Sequence, residues 1–380
     1  MRGEGRVRVS SEGFLRMNCR AAYALASLLI AGAVLAADEP PAEPENTSAT
    51  EASAPASGET ATASTGPEFS IPAPLAGKSL LLDAARAGSR MVVVGERGHV
   101  LTSDDQGQTW KQSMVPTRAT LTGVFFLDDK LGWAVGHDEV ILRTEDGGAT
   151  WELTHSAPEK EQPLLDVWFK DASTGLAIGA YGTMLASSDG GRTWQPRTFD
   201  PQPLVPEAPK RKAAATAGED EFADATTASD AHLNAIVRAP GGKLYIAGEA
   251  GKVFRSDDDG ETWLTLPSPY EGSFFGILPL SDSSLLAFGL RGHLYRSDDN
   301  GRTWNKIETG TEAMLTDGAK IDAAHVVMSG LAGTLLVSSD GGMTFTLLQQ
   351  PDRKGNSSVL AVDSKRFVVA GEGGVRTVTP

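Results

Sequence analysis

Six times the chain repeats the same eight-residue pattern with small changes, each ending in an aromatic. The copies are SDDQGQTW at Trp110, TEDGGATW at Trp151, SSDGGRTW at Trp194, SDDDGETW at Trp263, SDDNGRTW at Trp304 and SSDGGMTF at Phe345. A residue set present six times is not a single catalytic centre; it belongs to a repeating unit. Glycines set the register: Gly95, Gly136, Gly179, Gly248, Gly289, Gly330 and Gly371 are spaced by 41, 43, 69, 41, 41 and 41 residues. A period near 41 is the length of one four-stranded propeller blade, about 40 to 50 residues.

Each period reads as four strands separated by turn residues. In the second they are LTGVFFLDD (Leu121 to Asp129), GWAVGH (Gly132 to His137), VILRTE (Val140 to Glu145) and TWELTHS (Thr150 to Ser156). Alternation dominates after Phe69 and no helical apolar period persists over three turns, so the fold class is all-β. The 69-residue gap is one period plus an insertion at 200–230, rich in Pro, Ala and charge, which predicts a surface excursion between blades 3 and 4. The seventh period, SSVLAVDSKRFVVAGEGGVRTVTP, has three strands and no octet. An open last blade leaves an unpaired edge, so EFSIPAPL (Glu68 to Leu75) is expected to complete it. The expectation over 68–380 is a seven-bladed β-propeller of four-stranded antiparallel blades, the last completed by an N-terminal strand.

The first 67 residues read differently. Arg2, Arg6, Arg8, Arg16 and Arg20 precede the apolar run AAYALASLLIAGAVLA, and Val34 and Ala36 are the small residues of a cleavage site. Residues 1–36 are therefore expected to be a signal peptide cleaved after Ala36 or Ala37, with Met1 or Met17 as the start. The run falls short of the roughly 20 residues of a spanning helix, so no integral membrane span is expected in the mature chain. Residues 37–67, rich in Pro, Ala, Ser, Thr and Glu, are expected to be a disordered linker. The one cysteine, Cys19, precedes the apolar run, so an exported, periplasmic product would have neither thiol nor disulfide. Removing 1–36 takes the net charge from −15 to −18, which argues against nucleic acid as a partner.

In the octet the Ser or Thr and the Asp can bond back to nearby backbone amides, and the glycine permits positive φ. The aromatic then packs between sheets, burying about 150–250 Å². The structural pairs are Asp105 and Trp110, Asp146 and Trp151, Asp189 and Trp194, Asp258 and Trp263, Asp299 and Trp304, and Asp340 and Phe345. Calcium does not fit SDDDGETW, because the alternating acids are missing and Ser268 stands where the closing Glu is required. A phosphate loop fails at AGKS, where Pro72 replaces its first glycine. The histidines His99, His137, His155, His232, His293 and His325 show no metal spacing, and His99 and His293 read as exposed strand residues. No catalytic residue, cofactor or metal ligand is assigned.

The octet is the Asp-box, or bacterial neuraminidase repeat. Sialidases are similar in carrying it, but their arginine cluster and Tyr/Glu nucleophile lie outside the boxes, and no Arg-Ile-Pro segment precedes the first box here. A secreted glycan-active or glycan-binding propeller is the second reading. The segments AIGAYGTMLASSDGGRTW, IAGEAGKVFRSDDDGETW and AFGLRGHLYRSDDNGRTW more closely resemble the photosystem II assembly and stability factor family. That resemblance implies a non-enzymatic factor, monomeric alone, that binds a membrane-protein subunit or complex on the exported side through an arginine-rich patch. Its candidates are Arg143, Arg255 and Arg296 on third strands with Arg97 and Arg291 in turns. Topology independently marks the rim opposite the boxes, where the turns vary: Arg97, His137, Tyr181, Glu249 and Arg291 are the candidate partner-binding residues.

Overall fold

Each repeat folds into an antiparallel sheet whose strands follow chain order from the inside of the molecule outward. A computed structural model describes residues 68–204 and 230–379. The expected signal peptide (1–36), the linker (37–67), both start positions and most of the insertion lie outside the described residues. The seven innermost strands are Leu81–Ala87, Leu121–Phe126, Leu164–Phe169, Leu233–Arg238, Phe274–Pro279, Leu315–Lys320 and Asn356–Ala361. Each touches the innermost strand of the next blade, and the last returns to the first, closing a seven-bladed β-propeller. Among the described residues every helical turn is a short 3₁₀ turn.

Second strands, such as Arg90–Gly95 and Gly132–Gly136, lie between sheets on both faces and are almost wholly buried, which explains their unbroken apolar runs. The cores sit between blades. Between blades 1 and 2, Val92, Val94 and Val100 meet Leu121, Val124 and Trp151. Between blades 2 and 3, Trp133 stacks on Phe169 and packs with Val135, Leu164 and Trp194.

The period-setting glycines end the second strands in extended backbone, so space and not φ selects them. A Cβ on Gly95 would lie 2.3 Å from the Leu80 carbonyl oxygen, and one on Gly136 2.1 Å from that of Thr120. This approach lets the next residue bond the same carbonyl: Glu96 N to Leu80 O at 3.0 Å and His137 N to Thr120 O at 2.9 Å. All seven innermost strands also carry one register shift near their start, the extra residues being Leu82, Thr122, Leu165, Asn234, Phe275, Thr316 and Ser357.

One expectation changes. Glu68–Leu75 does not complete blade 7, whose sheet has three strands among the described residues. It runs instead along blade 1, where Ser70 N donates to Val115 O at 2.8 Å and Gln112 bonds the backbone of Ile71 and Ala73. Blade 1 already has its own innermost strand, so the seam with blade 7 closes by packing. Val375 N donates to Gly77 O at 3.0 Å, and Ala370 and Val375 join Leu81, Val93 and Trp110 in one cluster. At the insertion, Gln202–Pro203 pairs in parallel with Leu264–Thr265, giving blade 4 a fifth strand. Phe199 anchors that crossing, its ring 4.9 Å from Phe254 and 5.9 Å from Trp263.

Candidate functional site

The boxes close the connection between third and fourth strands, and all six do so with one set of bonds. In the first, Asp105 accepts from Ser103 Oγ at 2.8 Å, from Thr109 N at 2.8 Å and from Thr109 Oγ1, while Ser103 Oγ accepts from Gly107 N at 2.8 Å. Asp146, Asp189, Asp258, Asp299 and Asp340 repeat this with their own Ser or Thr. The threonine side-chain bond, followed by the backbone amide, holds Asp105 down at about 2, and the Thr193 amide does the same for Asp189. Such carboxylates have their acceptor capacity filled by the turn itself.

Arginines lock this rim from the side. Arg143 of blade 2 donates to the Gly190 carbonyl in the box of blade 3 at 2.8 Å and pairs with Glu145. Arg255 reaches Asn300 O at 3.3 Å and pairs with Asp257; Arg296 reaches Gly341 O at 2.7 Å and pairs with Asp298. The five arginines therefore do not form one patch. Three of them are largely buried inter-blade ties on the box rim, while Arg97 and Arg291 occupy the other rim.

That opposite rim has a uniform backbone and varied side chains. In blades 1 to 6 the turn between second and third strands places its middle residue in the left-handed region: Arg97 (φ 56), Asp138 (60), Tyr181 (53), Ala250 (51), Arg291 (56) and Ala332 (54). Arg97, Tyr181 and Arg291 stand exposed at these tips, Tyr181 with its ring 4.8 Å from that of His232. His137 and Glu249 occupy the preceding position and are half-buried; Glu249 lies 3.6 Å from His232 Nε2. Burial lowers the pKa of His137, which favours its neutral form. Burial likewise lowers that of His99, which is buried and not the exposed strand residue expected.

Blade 2 departs from this uniformity. Glu139 stands where other blades have a glycine, such as Gly98 or Gly292, whose added Cβ would meet Thr117 O at 2.3 Å or Thr311 O at 2.0 Å. Here the connection to blade 3 detours through a 3₁₀ turn, Pro158–Lys160, with Glu139 N bonded to Gln162 O at 3.2 Å. Glu139 keeps a positive φ of 47 and is 1% exposed, its carboxylate 2.8 Å from Lys160 Nζ and 3.1 Å from His155 Nε2.

Three residues that the sequence analysis passed over line the central channel. Asp83, Asp166 and Asp317 follow the bulge of blades 1, 3 and 6, and each bonds across to the next innermost strand. Val124 N donates to Asp83 Oδ2 at 2.8 Å, Ile236 N to Asp166 Oδ2 at 2.8 Å, and Val359 N and Ser358 Oγ to Asp317 Oδ2 at 2.9 and 2.7 Å. The other oxygen of each accepts from the following residue's amide. A signal was present in the recurrent Leu-x-Asp at 81–83, 164–166 and 315–317. Among the described residues no group of His, Cys, Asp or Glu is arranged to hold a metal ion, and no helix is long and apolar enough to cross a membrane.

Comparison with known proteins follows this architecture. The family model for photosynthesis system II assembly factor YCF48 matches residues 102–163, and that for the BNR/Asp-box repeat matches 295–306. Photosystem II assembly protein Ycf48 of Thermosynechococcus vestitus is 42% identical over 43 residues, 11% of this chain and 12% of that relative's length. A solved structure of YCF48 bound to D1 peptide superposes with a TM-score of 0.60 at 20% identity, covering 83% of this chain and 98% of that one. The GH74 xyloglucanase of Xanthomonas campestris, at 0.59 and 14% identity over 79% of this chain and 52% of that one, has the same kind of fold. Boxes, blades and these likenesses together make the chain a Ycf48-like β-propeller of Asp-box (BNR) repeats.

Proposed function

We propose that the chain is an exported, non-enzymatic β-propeller that binds a membrane-protein subunit through the rim opposite its Asp-boxes and helps a complex assemble. In a photosynthetic host the partner would be a photosystem II core subunit; elsewhere it would belong to another inner-membrane complex, such as a transporter. The observation that carries this reading is the division of labour between rims. The box carboxylates and the third-strand arginines are engaged within the protein, whereas one repeated turn displays Arg97, Tyr181 and Arg291 outward. The likeness to Ycf48, one structure of which holds a D1 peptide, supports the class of partner. Exposed arginine and tyrosine are the side chains most often found at the energetic centres of protein interfaces.

The test is crosslinking in membranes followed by co-purification, with wild type beside the triple variant Arg97→Glu, Tyr181→Ala and Arg291→Glu. The wild type is expected to recover a membrane subunit and the variant to lose it at an unchanged thermal midpoint. Recovery of the same subunit by both would move the binding surface elsewhere, and recovery of none above control would defeat the reading.

A further inference from the structure

We propose that Asp83, Asp166 and Asp317 form an acid-dependent belt around the channel: uncharged, they hold three blade junctions closed; ionised together, they repel one another and loosen them. Geometry is the basis. Innermost strands have no sheet partner on the channel side, so their outward amides need acceptors from elsewhere. The amides of Val124, Ile236 and Val359 find them in these carboxyl groups, which thereby tie blade 1 to 2, 3 to 4 and 6 to 7. Neutral side chains that donate to a carbonyl tie blade 2 to 3 and blade 4 to 5, and a further bond of this kind stands beside Asp317 between blades 6 and 7. Thr122 Oγ1 donates to Leu164 O at 2.6 Å, Asn234 Nδ2 to Phe274 O at 2.7 Å, and Thr316 Oγ1 to Asn356 O at 2.7 Å.

Among the described residues no cation pairs with these acids. The innermost strands carry three cations, Arg86, Arg238 and Lys320, and each is directed elsewhere: to Ala361 O, to Asp259 at 3.3 Å, and to Leu280 O. On the second strands behind them, Arg90 is bound to Asp104, and Tyr245 lies 3.2 Å from Asn300 Oδ1. Poor solvation among seven strands, then repulsion from Asp317 and Asp166, pushes Asp83 up to about 8. Poor solvation raises Asp166 to about 7, and raises Asp317 as well. A protonated carboxyl keeps lone pairs with which to accept the bridging amide, so losing the charge does not require losing the bond.

The sign follows from linkage. An aspartate of pKa near 3.9 when unfolded binds more protons in the folded state if its folded pKa is raised. The belt's stabilisation is therefore complete below about pH 4 and is lost as pH rises through 7 to 8. The box carboxylates act in the opposite sense: Asp105 and Asp189, held near 2, contribute above about pH 4 and fail as pH falls through 2. The propeller is thus tuned to a mildly acidic window, and a neutral or alkaline medium eases its inner wall.

Thermal denaturation of the full chain at pH 5 and pH 8.5 tests this, with Asp83→Asn, Asp166→Asn and the double variant beside wild type. The wild-type midpoint is expected to fall by roughly 5 °C or more between the two, and the double variant to flatten that slope by at least half. An equal slope in both proteins overturns the belt. Should the variants not fold, a carboxyl-carbon NMR titration of aspartate-labelled wild type decides: titrations centred above pH 6 support it, and midpoints all below 5 overturn it.

Discussion

At the scale of single residues, the box glycine of blade 3 has little latitude. Gly191 combines a φ of 78° with an added Cβ that would stand 2.2 Å from Trp133 Nε1, whose indole also donates to Gly190 O at 3.1 Å. Gly191→Ala should therefore strain the turn and displace the tryptophan stack, costing about 2–4 kcal/mol in a denaturant titration. A loss below about 0.5 kcal/mol would show that the turn tolerates a side chain. This part of the fold was legible because the box is local chemistry: acceptor, donors and glycine all fall within eight residues, and each bond demands a particular side chain. The channel aspartates were not legible for the opposite reason. Their partners are backbone amides 41, 70 and 42 residues away, and an amide places no constraint on the residue that carries it.

Among elements, the turn and connection of blade 2 form the irregular unit. Glu139 is buried in a left-handed conformation, and the 3₁₀ detour through Pro158–Lys160 makes room for it and supplies Lys160. Lys160→Ala should leave that carboxylate with His155 as its remaining ion-pair partner. Because Lys160 is itself 39% exposed, the expected cost is discounted to about 1–3 kcal/mol. Chemical denaturation of the single variant checks this, and an unchanged midpoint would mean that water replaces the ammonium without penalty. Strand order was readable at this scale, since each period alternates and breaks at its turns. The fate of Glu68–Leu75 was not: an extended apolar segment beside an incomplete blade predicts pairing, yet the Ser70 hydroxyl accepts from Val115 N at 3.0 Å and fixes the segment to blade 1. The arginines were similarly opaque, because alternation along a third strand cannot distinguish a side chain facing solvent from one reaching the neighbouring box.

Across the whole molecule, seven similar junctions close the ring, and that between blades 7 and 1 is built differently. Among the described residues Arg376–Val378 has no fourth strand outside it. Its amides should exchange with deuterium faster than those of the matching third strands, such as Val253–Ser256, which lie inside a fourth. Peptide-resolved exchange that protected all third strands equally would contradict this ordering. At the same scale the mildly acidic optimum expected from the channel acids is a property of no single blade, since Asp83 is raised by burial and then by the charges of two acids on other blades.

The route of Glu68–Lys78 also sets how the molecule would carry a mechanical load. A pull applied at Glu68 acts first on the Arg118 contacts to Glu68 and Phe69, then on those from Ser70 and Ile71 to Val115 and Gln112 beside the outermost strand of blade 1. Those contacts would open one after another, as a peeling zipper does, while the innermost strands remain shielded. Any preceding segment held at a fixed point would thus have a compliant spring of a few residues at its base, slackening before force reaches the ring.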